Sequence, residues 1–500
     1  MMKRKIFLLI AGLFTLCAGL FARADAYTYN FWDEIEKSPD PYRVSHVLYA
    51  NDLGLDKALK NPTSLFAHGN TIYLVDTDNN RIIVLEYTNK KTFDLIKVID
   101  HVNDSPLLNG VTTFQNPQDF FVSEEGNFFI ADSQNGRVIK TDSNLNVLLV
   151  FTEPDNPSYE KGKAFLPLKV IADSKERVYI LSKNVNKGFL KYESNGVFQG
   201  YYGATKVNPS PVEIFWKKFA TEAQKARMVS FVPTEYSNCY IDSEGLFYAV
   251  TETFEEWDLL SGKADPIRRL NALGNDILVQ NGYEYAIGDL KWGNAGGITG
   301  PSRMSDITVL ENEVYIALDE NRGRLFAFNN QGYLLFAFGG RGNINGNFRK
   351  AASIEHINKD LFVLDSVNAS ITVFTPTDYG NLIYRATEQF AVGEYDASAE
   401  TWEKVLKQNG NYDLAYIGIG RALLRQEQYK DAMKYFELKY DRENYSKAYK
   451  QYRKEWVEAH IGWIVAVILV LFLVPLSIGK VKSIKWQIDN ADIFKVEEKR

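Results

Sequence analysis

The middle of the chain is built of repeated units, and three of these units have a residue with a side-chain oxygen at the same position. Asp119, Asn238 and Asp306 each lie nine or ten residues before the aromatic residue on which their unit centres. Carboxylate and amide oxygens are the ligands that calcium and magnesium prefer. The other three units hold Ser64, Lys169 and Ser353 at this position. The ammonium of Lys169 would compete with a metal ion for the carboxylates. By residue type these side chains suit a divalent cation, and they equally suit a polar lining of a wet channel.

A second group of candidate binding residues lies in an insertion between two of the units. Segment 270–301 holds several glycines, together with Tyr283, Tyr285, Asp289 and Trp292. Exposed tyrosine and tryptophan rings beside glycine-rich backbone can stack on a sugar ring or contact a peptide. The segment therefore predicts a carbohydrate or peptide site, or else an insertion that only packs on the rest of the fold. Another insertion, 211–228, has the pattern of an amphipathic helix.

The usual catalytic motifs are absent from the sequence. It has five histidines, none in a His-Glu-x-x-His motif, and it has no Gly-x-Ser-x-Gly motif. Segment 338–348 is rich in glycine, but no Gly-Lys-Ser/Thr follows it, so it is not a phosphate loop. The net charge of −6 argues against a nucleic-acid partner. We therefore expect a binding or scaffolding role rather than an enzyme, and no cofactor.

Six repeated units fill the middle of the chain. Each reads as strand, turn, strand, polar turn and strand, and the units centre on Tyr73, Phe129, Tyr179, Tyr248, Tyr315 and Phe362. In most units an acidic residue is followed five positions later by a basic one, as in Asp76 with Arg81 and Asp132 with Arg137. Such a carboxylate typically accepts backbone amide hydrogens in a turn. Sheets this small bury their faces best by stacking around a channel, which predicts a mainly β propeller.

The repeats resemble NHL repeats over residues 46–378. The residues that carry the resemblance are Asn61-Pro62, the strand 128–132, the turn Asn80-Arg81-Ile82 and the linker 338–348. The resemblance implies a six-bladed propeller and implies only the fold. Gluconolactonase-like propellers also resemble this chain and hold a divalent metal at the channel mouth. That likeness implies an alternative function, a metal-dependent lactonase-like hydrolase with Asp119, Asn238 and Asp306 as metal ligands.

After residue 378 the apolar pattern becomes helical. Tyr395 and Tyr429 are 34 residues apart, and small and aromatic residues recur in register around them. The pattern resembles tetratricopeptide repeats. We therefore predict helical hairpins with their own core over 379–458, which would serve as a docking surface or a rigid spacer.

Both ends of the chain indicate a membrane-tethered protein. Basic residues 3–5, the apolar run 6–21 and small residues after it predict a signal peptide over 1–26, followed by a lead-in over 27–45. An uncharged segment followed by three lysines predicts a transmembrane helix over 459–479 and a cytoplasmic tail over 480–500. The expected location is the cell membrane, crossed once, with the large N-terminal part outside.

Cysteine usage and the domain order indicate a bacterial origin. Once the signal peptide is removed, Cys239 is the only cysteine left, so no disulfide can form within the chain. The whole arrangement, including segment 231–238, resembles Gram-positive bacterial chains described as gluconolactonase or NHL-repeat proteins. That resemblance implies an accessory role beside an ABC-type sugar uptake system. A membrane-protein partner would then bind the helical repeats or the transmembrane helix.

Overall fold

The computed structural model describes most of the chain after the predicted signal peptide. It covers residues 26–497 except 33, 158, 160–163, 184, 186, 205–235, 252–258, 260–264, 282–285 and 290–299. The predicted signal peptide up to residue 25 and the predicted helical insertion 211–228 therefore lie outside the described residues.

The lead-in forms strands that join sheets built much later in the chain. These are β1 (Tyr27–Tyr29), β2 (Ile35–Lys37) and β3 (Tyr42–Leu48). Strands β1 and β2 pair with each other, and β1 also pairs with the sheet of the fifth repeated unit. The expectation that the propeller starts at residue 46 therefore needs correcting, because strand pairing already includes residues from Tyr27 onward.

The described strands of the repeated units form six antiparallel sheets in chain order. The first sheet contains β4 (Ser64–His68), β5 (Thr71–Asp76), β6 (Arg81–Tyr87) and β7 (Phe93–Ile99). The second contains β8 (Pro117–Val122), β9 (Phe128–Asp132), β10 (Arg137–Thr141) and β11 (Val147–Phe151). The third contains β12 (Pro167–Ala172), β13 (Val178–Ser182), β14 (Phe189–Tyr192) and β15 (Phe198–Tyr202).

The last three sheets differ in size. The fourth sheet contains β16 (Tyr236–Ile241), β17 (Phe247–Thr251) and β18 (Ile267–Leu270). The fifth contains β19 (Met304–Val309), β20 (Tyr315–Asp319), β21 (Arg324–Phe328) and β22 (Leu334–Arg341), with β23 (Asn347–Phe348) parallel to β22. The sixth contains β24 (Ala351–Ile357), β25 (Asp360–Asp365) and β26 (Ser370–Pro376), and β3 completes it. Five sheets therefore have at least four strands, and the sheet built on Tyr248 has three described strands.

The sheets are arranged as a closed propeller. Their first strands contact one another in a circle that runs β4, β8, β12, β16, β19, β24 and back to β4. Strand β3 pairs with β26, so a strand from before the first unit completes the last sheet and closes the ring. The predicted β-propeller is confirmed. The prediction of six blades is not, since among the described residues five blades are complete and the sheet built on Tyr248 has three strands.

A buried aspartate at the end of the second strand fixes the polar turn in several sheets. Asp76 accepts hydrogen bonds from Lys60 N and from Arg81 Nε, both at 2.7 Å. Asp132 accepts one from Arg137 Nε at 2.8 Å, and neither aspartate is exposed. The structural role predicted for these turn carboxylates is therefore confirmed.

Five helices follow the propeller. They are α1 (Asp378–Ala391), α2 (Tyr395–Gln408), α3 (Asp413–Arg425), α4 (Tyr429–Leu438) and α5 (Arg442–Glu497). Each helix contacts the next, so the first four form two hairpins and α5 continues from them. Within α5 a segment is long and apolar enough to cross a membrane, and none of that segment is buried.

The helical hairpins share one hydrophobic core with the propeller. Phe336 of β22, Tyr384 of α1 and Trp402 of α2 belong to the same cluster of buried side chains. Tyr412 Oη donates a hydrogen bond of 2.6 Å to the carbonyl oxygen of Leu335. The expectation of a separate helical core is therefore wrong, because the apolar faces of the hairpins are buried against the fifth sheet.

Glycine allows α2 and α3 to approach closely. A Cβ atom built on Gly418 would lie 2.3 Å from Nε1 of Trp402, a side chain that is only 3% exposed. The indole therefore occupies the space that any other residue at position 418 would need.

We predict that Gly418→Ala lowers the free energy of unfolding by about 1 to 3 kcal/mol, since the added methyl group overpacks a full core. This loss should outweigh the preference for alanine in helices, which is about 1 kcal/mol. Denaturant unfolding of the purified full chain measures it. Gly462→Ala is the matched control, because no atom lies within 4 Å of its Cβ position. Equal stability of wild type and Gly418→Ala would contradict the close approach.

Candidate functional site

The six matched positions lie on the innermost strands of the propeller. In five of these strands the antiparallel register shifts immediately before the residue concerned: Asp119, Lys169, Asn238, Asp306 and Ser353. A bulge of this kind re-aims the side chain that follows it. The same β-bulge therefore recurs around the ring and sets the direction of these side chains.

Asp119 and Lys169 form a buried ion pair in the channel. Lys169 Nζ lies 3.0 Å from Asp119 Oδ1, and Ser64 Oγ donates to the same oxygen at 2.6 Å. The other oxygen, Oδ2, accepts from Val170 N at 2.9 Å. Burial alone would lower the pKa of Lys169, but Asp119 and then Asp306 offset this and raise the pKa. The lysine therefore remains an ammonium that neutralises the carboxylate.

Asp306 is held on the opposite part of the ring by hydrogen bonds rather than by an ion pair. Its Oδ2 accepts from Ser353 Oγ at 2.7 Å and from Ile354 N at 2.8 Å, and its Oδ1 accepts from Ile307 N at 2.8 Å. Burial still raises the pKa of Asp306 above the usual range. Ser353 Oγ also accepts from Leu65 N, which links the sixth sheet to the first.

Asn238 is the predicted ligand that the structure does not join to the others. Its Oδ1 accepts a hydrogen bond from Cys239 N at 2.8 Å. The neighbouring Cys239 is the residue that lies near the charged groups, since Lys169, Asp119 and Asp306 all influence its thiol. Burial raises the pKa of that thiol, so it stays protonated and is a poor nucleophile.

A cavity of about 270 Å³ opens on this ring. Its walls include the aromatic residues Phe66, Phe121 and Tyr240, and its polar groups include Lys169 and Glu355. Glu355 was not among the predicted site residues, although it lies two positions after Ser353 on the same strand and so points to the same side. The cavity combines apolar walls with a few polar groups, which is the usual composition of a small-molecule site.

Glu355 is a buried acid in the wall of the cavity. Burial, followed by the nearby charge of Asp306, raises the pKa of its carboxyl to about 8, while Lys169 acts in the opposite direction. The side chain is only 6% exposed. At neutral pH the carboxyl therefore keeps its proton and can donate a hydrogen bond.

His356 and Thr308 lie together beside Glu355. His356 Nδ1 and Thr308 Oγ1 are 2.7 Å apart, and burial lowers the pKa of His356 to about 4. Thr308 is not exposed at all, so a substrate could not reach its hydroxyl. The arrangement of hydroxyl and imidazole is therefore structural.

Comparison with known proteins finds only remote similarity to solved structures. No family model matches the chain, and no curated protein matches it. Solved structures that resemble it include virginiamycin B lyase from Staphylococcus aureus, at 11% identity over 70% of this chain and 87% of that one, with a TM-score of 0.37. A gluconolactonase from Xanthomonas campestris has 11% identity over 71% of this chain and 98% of its own, with a TM-score of 0.38.

The extracellular domain of a hybrid two-component system from B. thetaiotaomicron is similar at the same level. It has 11% identity over 68% of this chain and 36% of that one, with a TM-score of 0.37. Similarity this low says nothing about what the present chain binds or catalyses.

The three predicted metal ligands all contact groups of the protein itself. Among the described residues, no three His, Cys, Asp or Glu side chains are grouped so that they could hold a metal. Lys169 already neutralises Asp119, and the hydrogen bond to Cys239 N uses the amide oxygen of Asn238. Side chains that suit a metal by type are thus engaged with groups of the protein itself.

Of the four residues predicted to bind a ligand in the insertion, the structure describes Asp289. Tyr283, Tyr285 and Trp292 lie outside the described residues. Asp289 Oδ1 accepts hydrogen bonds from Tyr27 Oη at 2.6 Å and from Tyr29 Oη at 2.5 Å. Arg322 Nε lies 3.8 Å from its other oxygen. Asp289 therefore holds β1 against the fifth sheet.

The raised pKa of Glu355 predicts a stability that falls with pH. Between its usual pKa of 4.5 and about 8, the folded state keeps the proton that the unfolded state loses, so unfolding becomes easier as pH rises. His356, with its lowered pKa, acts in the opposite sense, but only below its usual value of 6.5. The window from pH 6.5 to 8 therefore isolates Glu355 from His356.

We expect Glu355→Gln to be more stable than wild type at pH 8.5, by on the order of 2 to 4 kcal/mol, with the gap closing near pH 4. Denaturant unfolding at a series of pH values measures this difference. Glu125→Gln, at an exposed glutamate, controls for the loss of a negative charge. A constant gap between Glu355→Gln and wild type across this range would show that Glu355 does not keep its proton.

Proposed function

We propose that this chain is a membrane-anchored extracytoplasmic binding and scaffolding protein. The observation that carries the proposal is helix α5, which starts in the packed helical hairpins and continues into an exposed apolar segment long enough to span a bilayer. A lone apolar helix of this length is costly in water, so a membrane is its natural surroundings. The propeller would then stand on the outer side, as the charge pattern of the sequence suggests.

The connection between the hairpins and α5 supports a scaffolding role. Asp441 caps α5 by accepting a hydrogen bond from Asn444 N at 3.0 Å, and both residues are buried. Ala448, one turn further along, is fully buried, and Lys439 pairs with Asp413 of α3 at 2.6 Å. Because this joint is packed, the orientation of the propeller relative to α5 is restricted.

The finer assignment follows from the sequence resemblance to Gram-positive NHL-repeat chains. In that assignment the propeller face that bears insertion 270–301 meets a carbohydrate or peptide, with Tyr283, Tyr285 and Trp292 as contacts. The tetratricopeptide-like hairpins or the membrane helix hold an ABC-type sugar importer. The alternative of a metal-dependent lactonase is less well supported, because the ammonium of Lys169 lies beside the carboxylate that a metal would need.

The topology predicts the outcome of proteolysis on intact cells or protoplasts that carry a C-terminal tag. Added protease should digest the propeller and leave a small tagged fragment that contains the apolar part of α5 and the tail. Immunoblotting with the tag antibody measures this, and permeabilised cells serve as the control in which the tag is also lost. A large domain that survives in intact cells would contradict the proposed orientation.

A partner held by the membrane-proximal helix should depend on its exposed aromatic side chains. Tyr449 and Trp456 of α5 are 47% and 48% exposed, so replacing both by alanine should not unfold the chain. We expect this double variant to lose the importer subunits that wild type retains in a pull-down from detergent-solubilised membranes. Leu95→Ala with Ile96→Ala, exposed on the propeller, is the matched control. Equal recovery with both double variants would place the partner elsewhere.

A further inference from the structure

A cleft of about 540 Å³ lies at the junction between the propeller and the first helix. One wall comes from turns of the fifth and sixth sheets, around Asn312 and Asn358, and from the end of β26 at Thr375. The other wall is the face of α1 that carries Asn381 and Thr387. The volume lies within the range that small-molecule sites usually occupy.

The cleft contains hydrogen-bonding groups that the fold leaves unused. The side-chain amides of Asn312, Asn358 and Asn381 line it, and all three residues are exposed, so their donors and acceptors are open to a ligand. Asn312 and Asn358 have φ values of 70° and 55°, so each holds a left-handed turn position at the rim.

The charges that line the cleft balance one another. Lys91 pairs with Asp360, which also accepts a hydrogen bond from Tyr87 Oη at 2.9 Å. Lys359 lies over the ring of Tyr384, with its Nζ 5.7 Å from the centroid, and Glu311 contributes the opposite charge. The site therefore offers no surplus of either sign to attract a strongly charged ligand.

We propose that this cleft binds a neutral carbohydrate of one or two rings. Each asparagine amide presents a donor and an acceptor side by side, which matches two neighbouring hydroxyl groups of a sugar. A ligand bound there touches both the propeller and α1, so it also strengthens the junction between them. The cleft is separate from the channel and from insertion 270–301 and thus goes beyond the proposed function.

The test is calorimetric titration of the purified full chain in a detergent without a sugar headgroup. The probes are glucose, galactose, mannose, N-acetylglucosamine, maltose, cellobiose and lactose. At least one should bind, and Asn381→Ala and Asn358→Gly should each weaken it by about three- to ten-fold, the cost of one lost hydrogen bond. Glycine is chosen at position 358 because it keeps the left-handed turn.

Asn411→Ala, at an exposed asparagine of the α2–α3 loop, is the matched control and should bind as wild type does. No heat from any of the seven sugars at about 10 mM, a concentration that would reveal even weak binding, would overturn the proposal. A sugar that binds wild type and all variants equally would also overturn it, as would tighter binding of inorganic phosphate than of any sugar. Because purified protein is used, such a failure would leave the proposed topology and membrane partner unaffected.

Discussion

Closure of the ring of sheets is the constraint on which the rest of the structure depends. A sheet of three or four strands cannot bury both faces alone, so each sheet here is stable only between two neighbours. Closure comes from the pairing of β3 with β26, which joins the two ends of the propeller in one sheet. The same pairing brings Thr377 N within 2.9 Å of the carbonyl oxygen of Pro41, so α1 starts at a defined place.

Ring closure also removes charged side chains from water, and this explains their pairing. Among the described residues of the channel, the carboxyl groups of Asp119, Asp306 and Glu355 are buried around the ammonium of Lys169. Asp119 forms an ion pair with the ammonium, Asp306 accepts hydrogen bonds, and Glu355 keeps its proton. Burial makes an unpaired charge expensive, and a different interaction offsets this cost for each acid. The channel end is therefore a polar surface on which an ammonium, hydrogen-bond donors and a raised pKa each offset the burial of one carboxyl group.

The sequence predicts those parts of the fold whose signal is local. The aromatic residues Tyr73 and Phe129 mark second strands of sheets because their alternating pattern lies in neighbouring residues. The pairing of β1 could not be predicted, since Tyr27 meets Ala337 across more than 300 residues. The shared core was missed for the same reason, because the helical period of α3 does not reveal that Tyr412 bonds to Leu335. The alternation of side chains along a strand could have placed Glu355 on the same side as Ser353. Its raised pKa could not be predicted, because it comes from burial, which depends on all the sheets together.

The junction between propeller and helices resembles a domain core more than a linker. The guanidinium of Arg421 lies between the rings of Tyr333 and Phe390, at 5.4 and 4.4 Å from their centroids, and it also bonds to Gln331. A flexible linker would let the propeller turn freely, whereas separating these surfaces would expose aromatic rings and a buried cation. Since α5 remains one helix from its capped start to the apolar segment, the contacts that hold the hairpins also set how the propeller faces the membrane. The proposed scaffolding role therefore depends on this packed joint more than on the propeller itself.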